Sequence, residues 1–330
     1  MRAARLSHFG PPSVISIEEI PRAEPRADQL LIRLTAAGVG NWDALIREGK
    51  VKLQPLPLTL GAELSGVVEA LGSEVVGFEP GDEVYGATNE QFSGAYAEYA
   101  VPSAGMMAQM PKKLTFIQAA SAPIAAVTAW QMLFDYAQVT TGQTVLIHGA
   151  AGNVGAYAVQ LARQAGLHVI ATVAAAGTEY VSGLGAERTI EYRTVRFDES
   201  VTGVDVVLDT VGGDTQQRSL RVLKPGGILV SSVSPVPEAA QRSYGIRSAY
   251  FYVSVTTTRL NRLTELFDCG KLVTEVGAVL PLDQAAIAHE MLADRKHRNG
   301  KIVLAIESHG IGATRSLEPP PQRIRSRDSQ

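Results

Sequence analysis

The stretch Val145-Leu146-Ile147-His148-Gly149-Ala150-Ala151-Gly152-Asn153-Val154-Gly155 decides the fold. A short buried-type strand runs into glycines spaced G-x-x-G-x-x-G, and the apolar periodicity of a helix begins at Val154. Small residues let the backbone turn sharply and approach a pyrophosphate, whose charge then meets a helix N-terminus. The last glycine lets the helix pack close to the sheet. Gly149, Ala151, Gly152, Asn153, Val154 and Gly155 are therefore candidate dinucleotide-binding residues. A glycine triplet alone is a weak signal; the strand before it and the helix after it give it weight.

On the C-terminal side, strands are expected at 168–173, 188–191, 204–209 and 227–231, with helices at 154–165, 180–184 and 216–223. Strands alternating with helices at this spacing imply a parallel, doubly wound sheet. The segment 251–255, rich in β-formers, reads as an edge strand of that sheet. On the N-terminal side the first 120 or so residues read as a β domain. Its strands fall at 30–34, 66–72 and 95–101, and a turn at 79–82 feeds another. An Ala-rich helical stretch, 118–134, joins the two halves, and helices about 258–269 and 282–294 precede a closing strand at 301–306. From 307 the chain is Ser/Arg/Pro-rich and is expected to be a flexible tail.

The bulk properties exclude several function classes. The chain of 330 residues has a formal charge of -3 spread along its length, which offers no basic face to nucleic acid or an anionic membrane. No apolar run approaches the roughly 20 residues of a membrane span. Met1-Arg2-Ala3-Ala4-Arg5-Leu6 leads directly into polar sequence without a signal-peptide core, so a cytoplasmic location is expected. Cys269 is the only cysteine, which rules out an internal disulfide and a cysteine-rich metal site. The six histidines are scattered, and each reads as a surface or packing residue.

A ribose-reading residue should follow the second strand of the doubly wound sheet. That stretch reads Thr172-Val173-Ala174-Ala175-Ala176-Gly177, with no carboxylate to accept ribose hydroxyls and no Arg or Lys to clamp a 2′-phosphate. Tyr192 and Arg193, after the third strand, either reach such a phosphate or are ordinary surface residues. The expectation is NADP(H) in preference to NAD(H).

Motifs elsewhere carry a family resemblance. They include Gly38-Val39-Gly40-Asn41-Trp42-Asp43, Leu60-Gly61-Ala62-Glu63-Leu64-Ser65-Gly66-Val67-Val68 and Phe78-Glu79-Pro80-Gly81-Asp82-Glu83-Val84. Gly94-Ala95-Tyr96-Ala97-Glu98-Tyr99, Ala125-Ala126-Val127-Thr128-Ala129-Trp130, Leu223-Lys224-Pro225-Gly226-Gly227 and Gly300-Lys301-Ile302-Val303-Leu304 continue the series. Over about residues 1–306 the chain resembles the zinc-free quinone oxidoreductase branch of the medium-chain dehydrogenase/reductase superfamily. The resemblance implies an α/β fold in two parts. A GroES-like β catalytic domain, 1–122 completed by 271–306, would enclose a Rossmann NAD(P)-binding domain, 123–270. It further implies that Thr172, Tyr192, Val211, Ser231, Phe251, Val253 and Lys301 join the glycine turn in holding the cofactor.

Zinc members of the superfamily take a cysteine early in the chain and a histidine in a G-H-E segment as ligands. The corresponding stretches here read Gly38-Val39-Gly40-Asn41 and Gly61-Ala62-Glu63, so a metal-free centre is expected. Without a Lewis acid, hydride delivery is easiest to an acceptor that spreads the developing charge, such as a quinone or an α,β-unsaturated carbonyl. The chain is then expected to be an NAD(P)H-dependent quinone or enone reductase. A zinc-free alcohol or carbonyl reductase, or a non-catalytic crystallin-like NADPH-binding protein, are the alternatives.

Catalytic candidates lie around the missing metal. Asn41 has an amide that can donate to a carbonyl, or sits in an ordinary turn. Asp43 either orients Asn41 or caps the helix 44–47. Thr128 either meets the nicotinamide side or packs within its helix. By their place in the family's cleft-facing loops, Trp42, Phe92, Tyr244 and Tyr252, with Tyr96 and Phe251 as further candidates, either wall an apolar substrate ring or belong to the core. Pairing of the edge strand with a second copy predicts a homodimer.

Overall fold

The computed structural model describes residues 1–51, 55–294 and 297–306; the proposed tail from 307 lies outside the described residues. The N-terminal part carries β1 (Arg2–Leu6), β2 (Ile15–Glu19), β3 (Leu30–Val39), α1 (Asn41–Arg47), β4 (Leu58–Thr59) and β5 (Glu63–Leu71). β6 (Glu83–Ala87), β7 (Tyr99–Ala100) and β8 (Met107–Gln109) complete it. The ten-residue β3 is apolar almost throughout because it is covered on both faces. It pairs antiparallel with β5, and β1 pairs with β2 and β4 in a separate small sheet.

The connecting stretch holds α2 (Phe116–Ala120) and α3 (Pro123–Trp130), followed by a π-helical turn at Gln131–Tyr136. The helical spacing over 118–134 is thus divided into three pieces. Pro123 has no backbone N–H to continue the α2 ladder, so the chain restarts with Pro123 at the first helical position.

Next come β9 (Thr144–Ile147), α4 (Asn153–Gln164), β10 (His168–Val173), α5 (Thr178–Leu184), β11 (Arg188–Glu191), α6 (Phe197–Ser200) and β12 (Val204–Asp209). After these follow α7 (Gly213–Ser219), β13 (Leu223–Ser231), α8 (Glu238–Tyr244) and β14 (Arg247–Tyr250). All neighbouring strands are parallel, in the order β11-β10-β9-β12-β13-β14. This is the Rossmann order, whose direction reverses between β9 and β12 and opens a crevice at their carboxyl ends. The glycine turn leaves β9 at that crevice.

Finally α9 (Thr257–Asp268), β15 (Val276–Pro281), α10 (Ala285–Asp294) and β16 (Lys301–Ala305) follow. β16 pairs antiparallel with β3, so the chain ends its described course back in the first sheet, ordered β15-β16-β3-β5-β6-β8. The two sheets share a core in which α3 packs between α4, α9 and β6. The buried Tyr85 hydroxyl of β6 donates to the Leu260 carbonyl of α9 at 2.9 Å.

Other local expectations shift. The strand at 95–101 shrinks to Tyr99–Ala100, because Ala95 and Tyr96 bond back to Gly61 and Leu60 and bury their side chains. The helix expected at 216–223 starts a turn earlier, at Gly213, and β13 already begins at Leu223. The edge strand is Arg247–Tyr250, not 251–255. Phe251 turns inward to stack on Tyr136 at 4.4 Å, and the Ser254 N–H is held by Gln131 Oε1, which pulls the segment off the sheet.

Candidate cofactor and active site

Two glycines of the turn are forced by geometry. Gly149 has φ +67°, in the left-handed region, and a Cβ there would strike the Thr210 hydroxyl. A Cβ on Gly155 would collide with the Gly149 carbonyl, so α4 packs on the turn only with glycine there. Gly152 is the helix N-cap and supplies no side-chain cap. Among the described residues no side chain caps the first N–H groups of this 12-residue helix at the crevice, which is the arrangement a pyrophosphate requires.

Two residues expected at the cofactor serve the interior. The Thr172 hydroxyl is buried and lies 2.9 Å from His148 Nδ1, because strand alternation turns it away from Ala171 and Val173. His148 is itself fully buried between Thr172 and Ser219, and burial lowers its pKa to about 4. Ser231 is also buried and donates to Asp209 Oδ2 at 3.0 Å. Asp209 additionally accepts from the Val211 and Gly212 N–H groups and from Gln216 Nε2. It thus organises the loops after β12 and β13, a role sequence reasoning missed. The available signal was a carboxylate ending a buried strand just before Gly212-Gly213.

Val211 and Tyr192 are exposed at their strand ends. The Tyr192 N–H bonds to the Val173 carbonyl at 3.2 Å, which sets Tyr192 and Arg193 beside the ribose-reading end of β10. The Arg193 guanidinium lies 5.9 Å from the Tyr192 ring centre. Phe251 is buried, and Val253 packs at the edge of the shared core.

At the start of α1, Asn41 is exposed, and among the described residues its amide has no hydrogen-bond partner. Asp43 is buried: Oδ2 accepts the Gly40 N–H at 2.9 Å and Oδ1 the Gly61 N–H at 3.1 Å. It caps the helix from its third position, and α1 begins at Asn41, three residues before the expected start. Burial pushes the Asp43 carboxyl up to about 7. Thr128 donates to the Ile124 carbonyl one turn earlier, within its own helix. Lys301, expected at the cofactor, pairs with Glu63, and both are buried. Lys301 lines a narrow recess with Ser121, Gly152 and Asn153.

Three of the four candidate wall residues come together. The Trp42 ring meets Phe92 edge-on at 6.3 Å and Tyr252 at 6.2 Å, joining α1, the loop after β6 and the segment after β14. Among the described residues no ring contact brings Tyr244 to them; it ends α8, exposed. Tyr96 is fully buried, its hydroxyl 3.4 Å from His289 Nε2, and belongs to the core. A cavity of about 260 Å³ elsewhere on the β domain, flanked by Met1, Pro57, Asn89 and Tyr99, is lined by none of the candidate residues.

Comparison with known proteins assigns the chain to a family. Residues 26–112 match the alcohol dehydrogenase GroES-like domain, and 184–304 match the family described as zinc-binding dehydrogenase. The quinone oxidoreductase of Sus scrofa is 33% identical, covering 93% of this chain and 98% of its own. The chain belongs to the quinone oxidoreductase branch of the medium-chain dehydrogenase/reductase superfamily. A solved quinone oxidoreductase from Coxiella burnetii superposes with a TM-score of 0.87 at 35% identity, covering 93% of this chain and 99% of that one. The Escherichia coli quinone oxidoreductase complexed with NADPH superposes at 0.85 with 29% identity, covering 92% and 100%.

The residues of this branch member do not fit the zinc named in one family description. Gly40 and Ala62 offer no donor atom, Glu63 is paired with Lys301, and Asp43 has each oxygen on a backbone N–H. Among the described residues no group of three or more His, Cys, Asp or Glu is placed to hold a metal ion. The glycine turn, by contrast, fits a dinucleotide.

Proposed function

We propose that this quinone oxidoreductase relative reduces quinones or activated C=C bonds with NAD(P)H and without a metal. The observation that carries it is the combination of an uncapped, glycine-packed α4 N-terminus with a catalytic floor whose metal-ligand positions, Gly40 and Ala62, have no donors. The dinucleotide supplies the hydride when bound. The first N–H groups of α4 hold its pyrophosphate. Asn41 donates to the carbonyl oxygen on which charge develops, and Trp42, Phe92 and Tyr252 wall the apolar ring of the acceptor. Solvent supplies the proton.

Tyr192 and Arg193 beside β10, with no acidic residue at that strand end, favour NADP(H) over NAD(H). The domain division at 122/123 and 270/271 is part of this reading, as are a cytoplasmic location and a homodimer. β14 supports the dimer, since among the described residues it pairs with β13 on one side only. No described helix is long and apolar enough to cross a membrane. The test is an NADPH-oxidation screen over quinones, enones, enals and acrylate-like acids, with a simple secondary alcohol as the contrasting substrate. Turnover confined to the alcohol and its ketone would overturn the proposal.

A further inference from the structure

A polar stripe runs along α4. Asn153, Tyr157, Gln160 and Gln164 follow one another at helical spacing and so lie on one face, and Tyr157 and Gln160 are buried there. The chain leaves the first sheet after β8 and returns to it at β15. On the way out α2 packs on β3 and β5, α3 packs on α4, and Ser121 lies between the two helices. On the way back the passage is 269–275, between α9 and β15. The Tyr157 hydroxyl donates to Thr274 Oγ1 at 2.6 Å, and Thr274 Oγ1 lies 2.7 Å from Ser121 Oγ. The Ser121 hydroxyl donates to the Gln118 carbonyl at 2.7 Å, so its contact with Thr274 uses the threonine proton. The three hydroxyls form one chain that donates in a single direction, from α4 through the returning passage to the outgoing one.

Gln160 grips the returning passage one residue away. Its Oε1 accepts the Val273 N–H at 2.9 Å, and its Nε2 donates to the Val273 carbonyl at 3.1 Å. A second bond from Nε2 to the Ala156 carbonyl, also 3.1 Å, fixes the amide in place. Val273 is 54% exposed, so water would serve its backbone groups in place of this amide, and folding alone does not require Gln160 there. What the two side chains accomplish is to tie both passages to the helix whose N-terminus faces the dinucleotide. Asn41 and Trp42, on the acceptor side, lie on α1 after β3 of the other sheet. The passages are the covalent links between these two sides, and hydride transfer depends steeply on distance and alignment. We propose that Tyr157 and Gln160 are positioning residues which, by holding both passages to α4, set the approach of hydride donor to acceptor.

This rests on the reductase reading for its rate measurement and stands apart from it for exchange at the passages. In single-turnover mixing of the full chain at saturating NADPH and quinone, Gln160→Met and Tyr157→Phe should each slow hydride transfer about tenfold, with NADPH Kd changing less than about threefold. Tyr157→Phe keeps a ring edge-on to Phe267, so it removes the hydrogen bond without opening the core. Tyr157→Phe combined with Thr274→Val should be no slower than Tyr157→Phe alone, because both interrupt one chain. In the chain without nucleotide, amide hydrogen exchange at 271–276 should quicken about tenfold in Gln160→Met and stay unchanged in the glycine turn, 149–155. Hydride transfer within about threefold of wild type in both variants would overturn the proposal, whatever happens to their thermal midpoints. So would unchanged exchange at 271–276, or a rise in NADPH Kd that matches the loss of rate, which would make this face a nucleotide contact. A wild-type chain that binds NADPH yet reduces no acceptor would sink the reductase reading, while exchange would still decide whether Gln160 holds the passage.

Discussion

Asn41 and Asp43, two residues apart on α1, have opposite fates. The first is exposed, its amide without a hydrogen-bond partner among the described residues; the second is buried with both oxygens engaged. Asn41→Ala should therefore lower turnover about tenfold or more while NADPH affinity stays nearly constant, since one donor to a developing charge is lost. Steady-state kinetics beside nucleotide-fluorescence titration check this, and unchanged turnover would remove Asn41 from the mechanism. Asp43→Ala strands the Gly40 and Gly61 N–H groups and should cost about 2–4 kcal/mol of stability, read from the urea midpoint. At the ribose end, Arg193→Ala should reduce the preference for NADPH over NADH about tenfold, because a charge-assisted phosphate contact is removed. An unchanged ratio of kcat/KM values would show that Arg193 does not read the phosphate.

His148 is the clearest case at the scale of elements, since its ring joins β9 to β10 through Thr172 and to α7 through Ser219. Burial lowers its pKa from 6.5 to about 4, so the folded chain keeps it neutral where the unfolded chain is protonated. The unfolded state then binds more protons between those pH values, and stability falls as pH drops through that window. The full loss from this group is about 3 kcal/mol. The raised Asp43 carboxyl works in the opposite direction, losing stability as pH rises from about 4 towards 7. The difference in urea stability between the wild type and His148→Asn isolates the histidine, and parallel pH curves for the two would refute its role. Strand and helix alternation from β9 to β13 was legible because buried parallel strands and amphipathic helices leave periodic signals. The stretch 118–134 was not, because its apolar residues suit one helix while Pro123 and the π-helical turn break it.

Over the whole molecule, the contacts that make a site join segments far apart in the chain. Trp42 meets both Phe92 and Tyr252, and Lys301 returns to Glu63. The side of β14 away from β13 leads to a prediction about assembly. The 35.1 kDa chain should sediment as a dimer, and Ala249→Lys on β14 should shift it to monomer. A monomeric wild type would dismiss the shared-edge dimer. The sequence by itself determined the dinucleotide turn and the loss of the metal ligands, because both are local: they follow from which residues permit a backbone path and which carry a donor atom. Only the tertiary structure decided which side chains occupy the crevice and which serve the core. Thr172 and Ser231 turn inward, Tyr96 is sealed away, and Lys301 is buried against Glu63. Those outcomes depend on strand register and on β16 closing onto β3, and a local pattern of residues encodes neither.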